Sequence, residues 1–127
     1  MSEPQRSSLG SVSAAISNAT VQLMNEYTGR GPTKAKTAID RDVITVVLQD
    51  TMTKAERTLA NIGQGMFVID MRHRFQHAMQ DDLVAAVERL TQRKVMAFMS
   101  DNHIDPDMAA EVFILEPESD TNDTDSD

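Results

Sequence analysis

The sequence predicts a single α+β domain of order α-β-β-α(broken)-β-β, in which a four-stranded, mainly antiparallel sheet carries its helices packed on one face. Three observations lead there. Apolar residues recur at spacings of three and four over two long stretches. A run rich in β-branched residues, Val43-Ile44-Thr45-Val46-Val47, reads as a strand. The 127 residues leave room for one core and no second.

Residues 1–10 are polar and are expected to be a flexible N-terminus. From Ser11 onward, Val12, Ile16, Ala19, Leu23 and Tyr27 form one stripe of an amphipathic helix. Gly29-Arg30-Gly31-Pro32 ends it, because glycine supplies a C-terminal cap conformation and proline cannot continue a helix. Residues 34–39 and 43–48 then read as strands. Only Asp40-Arg41-Asp42 separates them, so a tight antiparallel hairpin connects the two. Thr53-Lys54-Ala55-Glu56 matches the capping box, in which Thr and Glu reciprocally satisfy free amides where a helix starts. Gly63-Gln64-Gly65 breaks that helix, since each glycine costs about 1 kcal/mol relative to alanine inside one. Its second part, residues 66–92, carries Val68, Phe75, Met79, Leu83, Ala86, Val87 and Leu90 on its apolar stripe. Residues 95–99 and 110–115 form the last strand pair, joined by a loop over 100–108. The folded domain is therefore 11–115. Beyond it, residues 116–127 hold nothing apolar to bury and are predicted to be a disordered acidic tail.

Composition narrows the function classes. The chain has no Cys, which removes disulfides, thiolate nucleophiles and thiolate metal sites, and fits a reducing cytoplasm. Its apolar runs are only a few residues long, whereas a membrane span needs roughly 20. No apolar core follows the N-terminus as in a signal peptide, so the protein is expected to stay in the cytoplasm. Nine Met against four Phe, one Tyr and no Trp imply an adaptable core, and any exposed Met would suit a partner surface. The net charge of −8 is concentrated: without the six acids of 116–127 it is −2. The folded part is nearly neutral, so overall charge says little about its binding surface.

Four groups of residues invite a chemical reading. In the segment from Gly29 to Lys36, Gly29 and Gly31 let a ligand approach the backbone, and Arg30, Lys34 and Lys36 could neutralise an anion. The segment lacks the Gly-Lys-Ser/Thr of a phosphate loop, and a helix stop leading into a lysine-faced strand explains it equally. His73 and His77 share a helix face at zinc-site spacing, but Arg74 stands where a metalloprotease has Glu, which favours a solvated face. Ser100-Asp101-Asn102-His103-Ile104-Asp105-Pro106-Asp107 resembles a calcium loop without its turn glycine or closing glutamate, and reads as a connecting loop with an interaction role as the alternative. Arg57 and Arg72 pair internally or face a partner carboxylate. No catalytic residue, metal ligand or cofactor site is assigned, and the chain is expected not to be an enzyme.

The strings Tyr27-Thr28-Gly29-Arg30-Gly31-Pro32-Thr33-Lys34-Ala35-Lys36, Thr53-Lys54-Ala55-Glu56-Arg57-Thr58-Leu59 and Ser100-Asp101-Asn102-His103-Ile104-Asp105-Pro106-Asp107 together resemble landmarks of the MpsC-like family, across residues 11–115. Gln92 stands where that pattern often has Gly. The resemblance implies association with a sodium-translocating, membrane-potential-generating system, in some members linked to inorganic-carbon uptake. It singles out Gly29, Arg30, Gly31, Pro32, Thr33, Ser100, Asp101 and His103 as positions that matter, with no catalytic role attached.

The expected function is a soluble accessory or regulatory protein that docks on a membrane ion or inorganic-carbon transport complex, peripheral at the inner face of the membrane. The alternative is a nucleic-acid or nucleotide binder using the basic 30–41 segment, although aromatics for base stacking are scarce. A homodimer is also expected, because a short chain gains from extra buried surface. Sheet edges or the long helix could supply it.

Overall fold

The computed structural model describes residues 2–118, with side chains from Leu9 onward; the acidic-tail expectation for 116–127 lies largely outside them. The elements are α1 (Ser2–Thr28), β1 (Lys34–Asp40), β2 (Val43–Gln49), α2 (Lys54–Asn61), α3 (Gly65–Thr91), β3 (Val95–His103) and β4 (Met108–Leu115). Strands β1 and β2 form one hairpin and β3 and β4 the other. The hairpins join through β2 and β4, so the sheet order is β1-β2-β4-β3 with every pairing antiparallel.

Strand alternation decides what the sheet buries. Ile44, Val46 and Leu48 of β2 and Ala109, Phe113 and Leu115 of β4 point to one side. There they meet Ile16 and Met24 of α1 and Met79, Leu83 and Val87 of α3. Burying a side chain of this kind contributes about 1.5–3 kcal/mol, so this layer is the main favourable term of the fold. Phe98 joins it from β3, with its ring centroid 5.0 Å from that of Phe113.

Local signals account for most boundaries. The Thr53–Glu56 capping box is complete: Glu56 N donates to Thr53 Oγ1 at 3.1 Å, and Thr53 N donates to Glu56 Oε1 at 2.8 Å. The glycine break falls as expected between α2 and α3, where Gly63 has φ +87°. Two boundaries differ from expectation by more than two residues. Helix α1 begins at Ser2, ahead of the Ser11 onset that its apolar stripe predicts; Pro4 lies in its first turn, where a missing amide costs nothing. Strand β3 continues through Ser100 to His103, residues read from sequence as loop. Their backbone pairs with β4 out to His103↔Met108, and this pairing outweighs the turn preference of Asp and Asn.

Candidate interaction surfaces

The three sequence strings converge at one end of the molecule. Gly29, at φ +80°, caps α1, its amide donating to Asn25 O at 2.9 Å. Gly31 lies against α1 so closely that a Cβ there would sit 3.2 Å from Val21 Cγ1, and Pro32 is buried. Gly31, Pro32 and Thr33 line one wall of an open groove of about 510 Å³, with Ser17, Val21 and Asn25 of α1 opposite. Arg30 turns away from this groove. It pairs with the Asp50 carboxylate at 2.5 Å and donates from Nε to Asp50 O at 3.3 Å.

Asp50 also receives Arg57 Nη2 at 3.1 Å, and the same nitrogen reaches Asp107 Oδ2 at 3.3 Å. Asp107 is the hub of the loop that follows β3. Its carboxylate accepts from Thr51 Oγ1 at 2.8 Å and from Met52 N at 2.9 Å. Burial works against that charge, but the Met52 amide and Thr51 hydroxyl outweigh it and hold the carboxyl below its ordinary pKa. Behind this lies Arg72, 5% exposed. Its guanidinium donates to Glu56 Oε1 at 3.0 Å, Thr51 Oγ1 at 2.8 Å and Asn102 Oδ1 at 2.8 Å. Of the two arginines left open by sequence, Arg72 is thus fully engaged inside and Arg57 bridges two carboxylates at the surface.

Asp101 and His103 have a different setting. Both are exposed; His103 Nδ1 lies 2.8 Å from Pro106 O, and Asp101 Oδ1 is 3.8 Å from His73 Nε2 across an open surface. His77 is exposed one turn further along α3. Among the described residues, no group of three or more His, Asp or Glu side chains converges as metal ligands do.

The sheet face opposite the helices gathers the remaining candidates. Strand register aligns Lys34, Gln49, Met108 and His103 in one row and Lys36, Val47, Ala110 and Asp101 in the next. Below them run Ala38, Thr45, Val112 and Met99, then Asp40, Val43, Ile114 and Ala97. None of these residues is fully buried, and none belongs to the core cluster. The face is apolar in its middle, with Val43 40% and Met99 52% exposed; Lys34 and Lys36 line one edge and Asp101 the other.

A second exposed apolar feature sits where α2 turns into α3. Ile62, Met66 and Phe67 are 67%, 86% and 54% exposed within six residues of chain. Helix α2 leads to this turn directly from the Arg57 network.

Sequence reading passed over Asp50, Thr51, Glu111 and the Ile62–Met66–Phe67 turn, and it included Asp107 in the 100–107 string without giving it a role. Glu111 had no clear signal in the sequence: Ala110, Val112 and Ile114 offer an equally apolar face, and only the folded sheet puts Glu111 on the core side with Ala109, Phe113 and Leu115. It is 1% exposed, neither carboxyl oxygen has a hydrogen-bond partner, and burial pushes its pKa up to about 7. Ser100, its register partner, and Arg72 temper that rise, although the Ser100 hydroxyl does not reach hydrogen-bond geometry. Gln76, on the α3 turn after Arg72, is also buried with both amide atoms unpartnered.

Residues 8–117 match the family described as Na+-translocating membrane potential-generating system (MpsC). The chain is also 32% identical over 97 residues to the uncharacterized protein YbcI of Bacillus subtilis (strain 168), covering 76% of this chain and 78% of the relative. No solved structure matches the chain.

Proposed function

The chain belongs to the MpsC family, and from that premise we propose that it is a non-enzymatic accessory protein that docks on a membrane ion or inorganic-carbon transport complex. The observation that carries this reading is the Ile62–Met66–Phe67 turn. Three large apolar side chains kept in water at a helix–helix turn have no part in the core, and clusters of this kind mark contact sites. No helix among the described residues is long and apolar enough to cross a membrane, so contact with the complex would be made by docking. The motif residues support the turn from behind: the Arg30–Asp50–Arg57–Asp107 network anchors the start of α2 and fixes how the turn is presented.

The alternative, nucleic-acid binding through the 30–41 segment, has less to work with. Arg30 is committed to Asp50, and the exposed Lys34 and Lys36 share their strand face with Asp40. A titration against single-stranded RNA and DNA at low salt would reveal it.

The test uses cells lacking the chain and a potential-sensitive dye. The full-length chain is expected to restore a sodium-dependent membrane potential, and the Met66→Asp/Phe67→Ser variant is not, while its unfolding midpoint stays unchanged. Full restoration by the variant would remove the turn as the docking element. A potential indifferent to loss of the chain would remove the reading itself.

A further inference from the structure

We propose that the open face of the sheet is the interface of a symmetric homodimer, closed by a second copy of this chain packed face to face. The first ground is area. Four strands about 4.8 Å apart and seven residues rising about 3.4 Å each give a footprint of roughly 450 Å² per copy. Two copies bury roughly 900 Å² before side-chain relief is added, which approaches the ~1,200 Å² of specific interfaces. Such a contact forms at micromolar concentration and is not obligate.

The second ground is that the face complements itself. A twofold axis running between the two faces, parallel to the strands, lays β1 of one copy over β3 of the other and β2 over β4. Residues in the same row then oppose each other. Val47 meets Ala110, Thr45 meets Val112 and Val43 meets Ile114, pairing larger with smaller side chains along an apolar centre. Lys36 meets Asp101 twice, once on each side of the axis, and draws towards itself an exposed carboxylate whose Oδ1 lies 3.8 Å from His73 Nε2 in the single copy. Lys34 meets His103, a neighbour that adds reach but no carboxylate. Aligned sheets cross at about −30°, which leaves the central rows in place and shifts the edges by a few ångströms, within the span of a lysine side chain. Asp40, the third charge on the lysine edge, opposes Ala97, so the two Lys36–Asp101 pairs fix the orientation.

This contact covers a sheet face, in place of the sheet edges or long helix expected from sequence. It leaves the Ile62–Met66–Phe67 turn of both copies free, and it stands or falls independently of the membrane reading.

Sedimentation velocity over a micromolar dilution series tests it with charge reversals. The wild-type chain is expected to dimerise. Lys36→Glu and Asp101→Lys each replace two attractive contacts with two repulsive ones and should weaken the dimer about tenfold. The double variant Lys36→Glu/Asp101→Lys restores the pairing with its signs exchanged and should recover most of the loss. Circular dichroism confirms that each variant remains folded; because both side chains are exposed, folding should be unaffected. A wild-type monomer throughout the series overturns the proposal. So does a dimer indifferent to the single reversals, or a double variant no tighter than either single one.

Discussion

Two carboxylates a few residues apart respond to pH in opposite senses. Asp107 has its pKa lowered by donors in the fold, so its contribution is present above the ordinary aspartate range and is lost as pH falls through the lowered value. Asp107→Ala leaves the Met52 amide and Thr51 hydroxyl without their acceptor, and should cost roughly 2–4 kcal/mol at neutral pH, read from urea unfolding. Glu111 behaves the other way. Its folded pKa of about 7 exceeds that of the unfolded chain, so folding is penalised once the unfolded carboxyl ionises, and the penalty is complete above about pH 7. At about 1.4 kcal/mol per pH unit this amounts to roughly 3 kcal/mol. Glutamine mimics the protonated acid, so Glu111→Gln should gain about 1–3 kcal/mol near pH 8 and almost nothing near pH 4. Equal gains at the two pH values would mean that Glu111 does not change its protonation on folding in this range.

Elements announced by local chemistry were legible in the sequence, and those set by distant partners were not. The capping box at Thr53, the β-branched run of β2 and the glycine break before α3 each act within a few residues, so their signals sit side by side in the chain. The end of β3 is held by β4, and nothing in Ser100-Asp101-Asn102-His103 itself announces a strand. The site was legible in the same proportion. The strings that matter could be listed, but their division into Arg30, which pairs with Asp50, and Lys36 and Asp101, which face solvent, depends on register and on contacts 20 or more positions apart. One element-level reading can be tested directly. Gln92 ends α3 in the left-handed conformation, φ 59° and ψ 34°, at the position where the family pattern often has glycine. A non-glycine residue there costs about 1 kcal/mol, partly offset by the Gln92 Nε2 bond to Arg89 O at 2.7 Å. Gln92→Gly should therefore stabilise the fold by about 0.5 kcal/mol and raise the unfolding midpoint by about 2–4 °C. A lower midpoint would show that the side-chain bond outweighs the backbone strain.

At the scale of the whole molecule, the helices close one side of the sheet, and the open face and the α2–α3 turn hold most of the large apolar side chains left exposed among the described residues. If the open face meets a second copy, the turn is the largest cluster of exposed apolar side chains left for the proposed docking. Its strength can be bounded. Burying what Ile62, Met66 and Phe67 still expose contributes roughly 3–6 kcal/mol before the loss of translational and rotational freedom, which costs at least about 4 kcal/mol. The net is weak unless polar contacts add to it, and it is strengthened if a dimer presents two turns to one complex. The chain should accordingly behave as a peripheral component. Where it is recovered with native membranes, alkaline carbonate should strip it off without detergent. Lys36→Glu, which weakens the dimer, should weaken its retention during washing more than it weakens a single docking event. Immunoblots of washed and carbonate-stripped membranes give both numbers. Retention through carbonate would mean that the turn enters lipid instead of meeting protein. Retention unchanged by Lys36→Glu, with the dimer weakened, would mean that each copy docks alone.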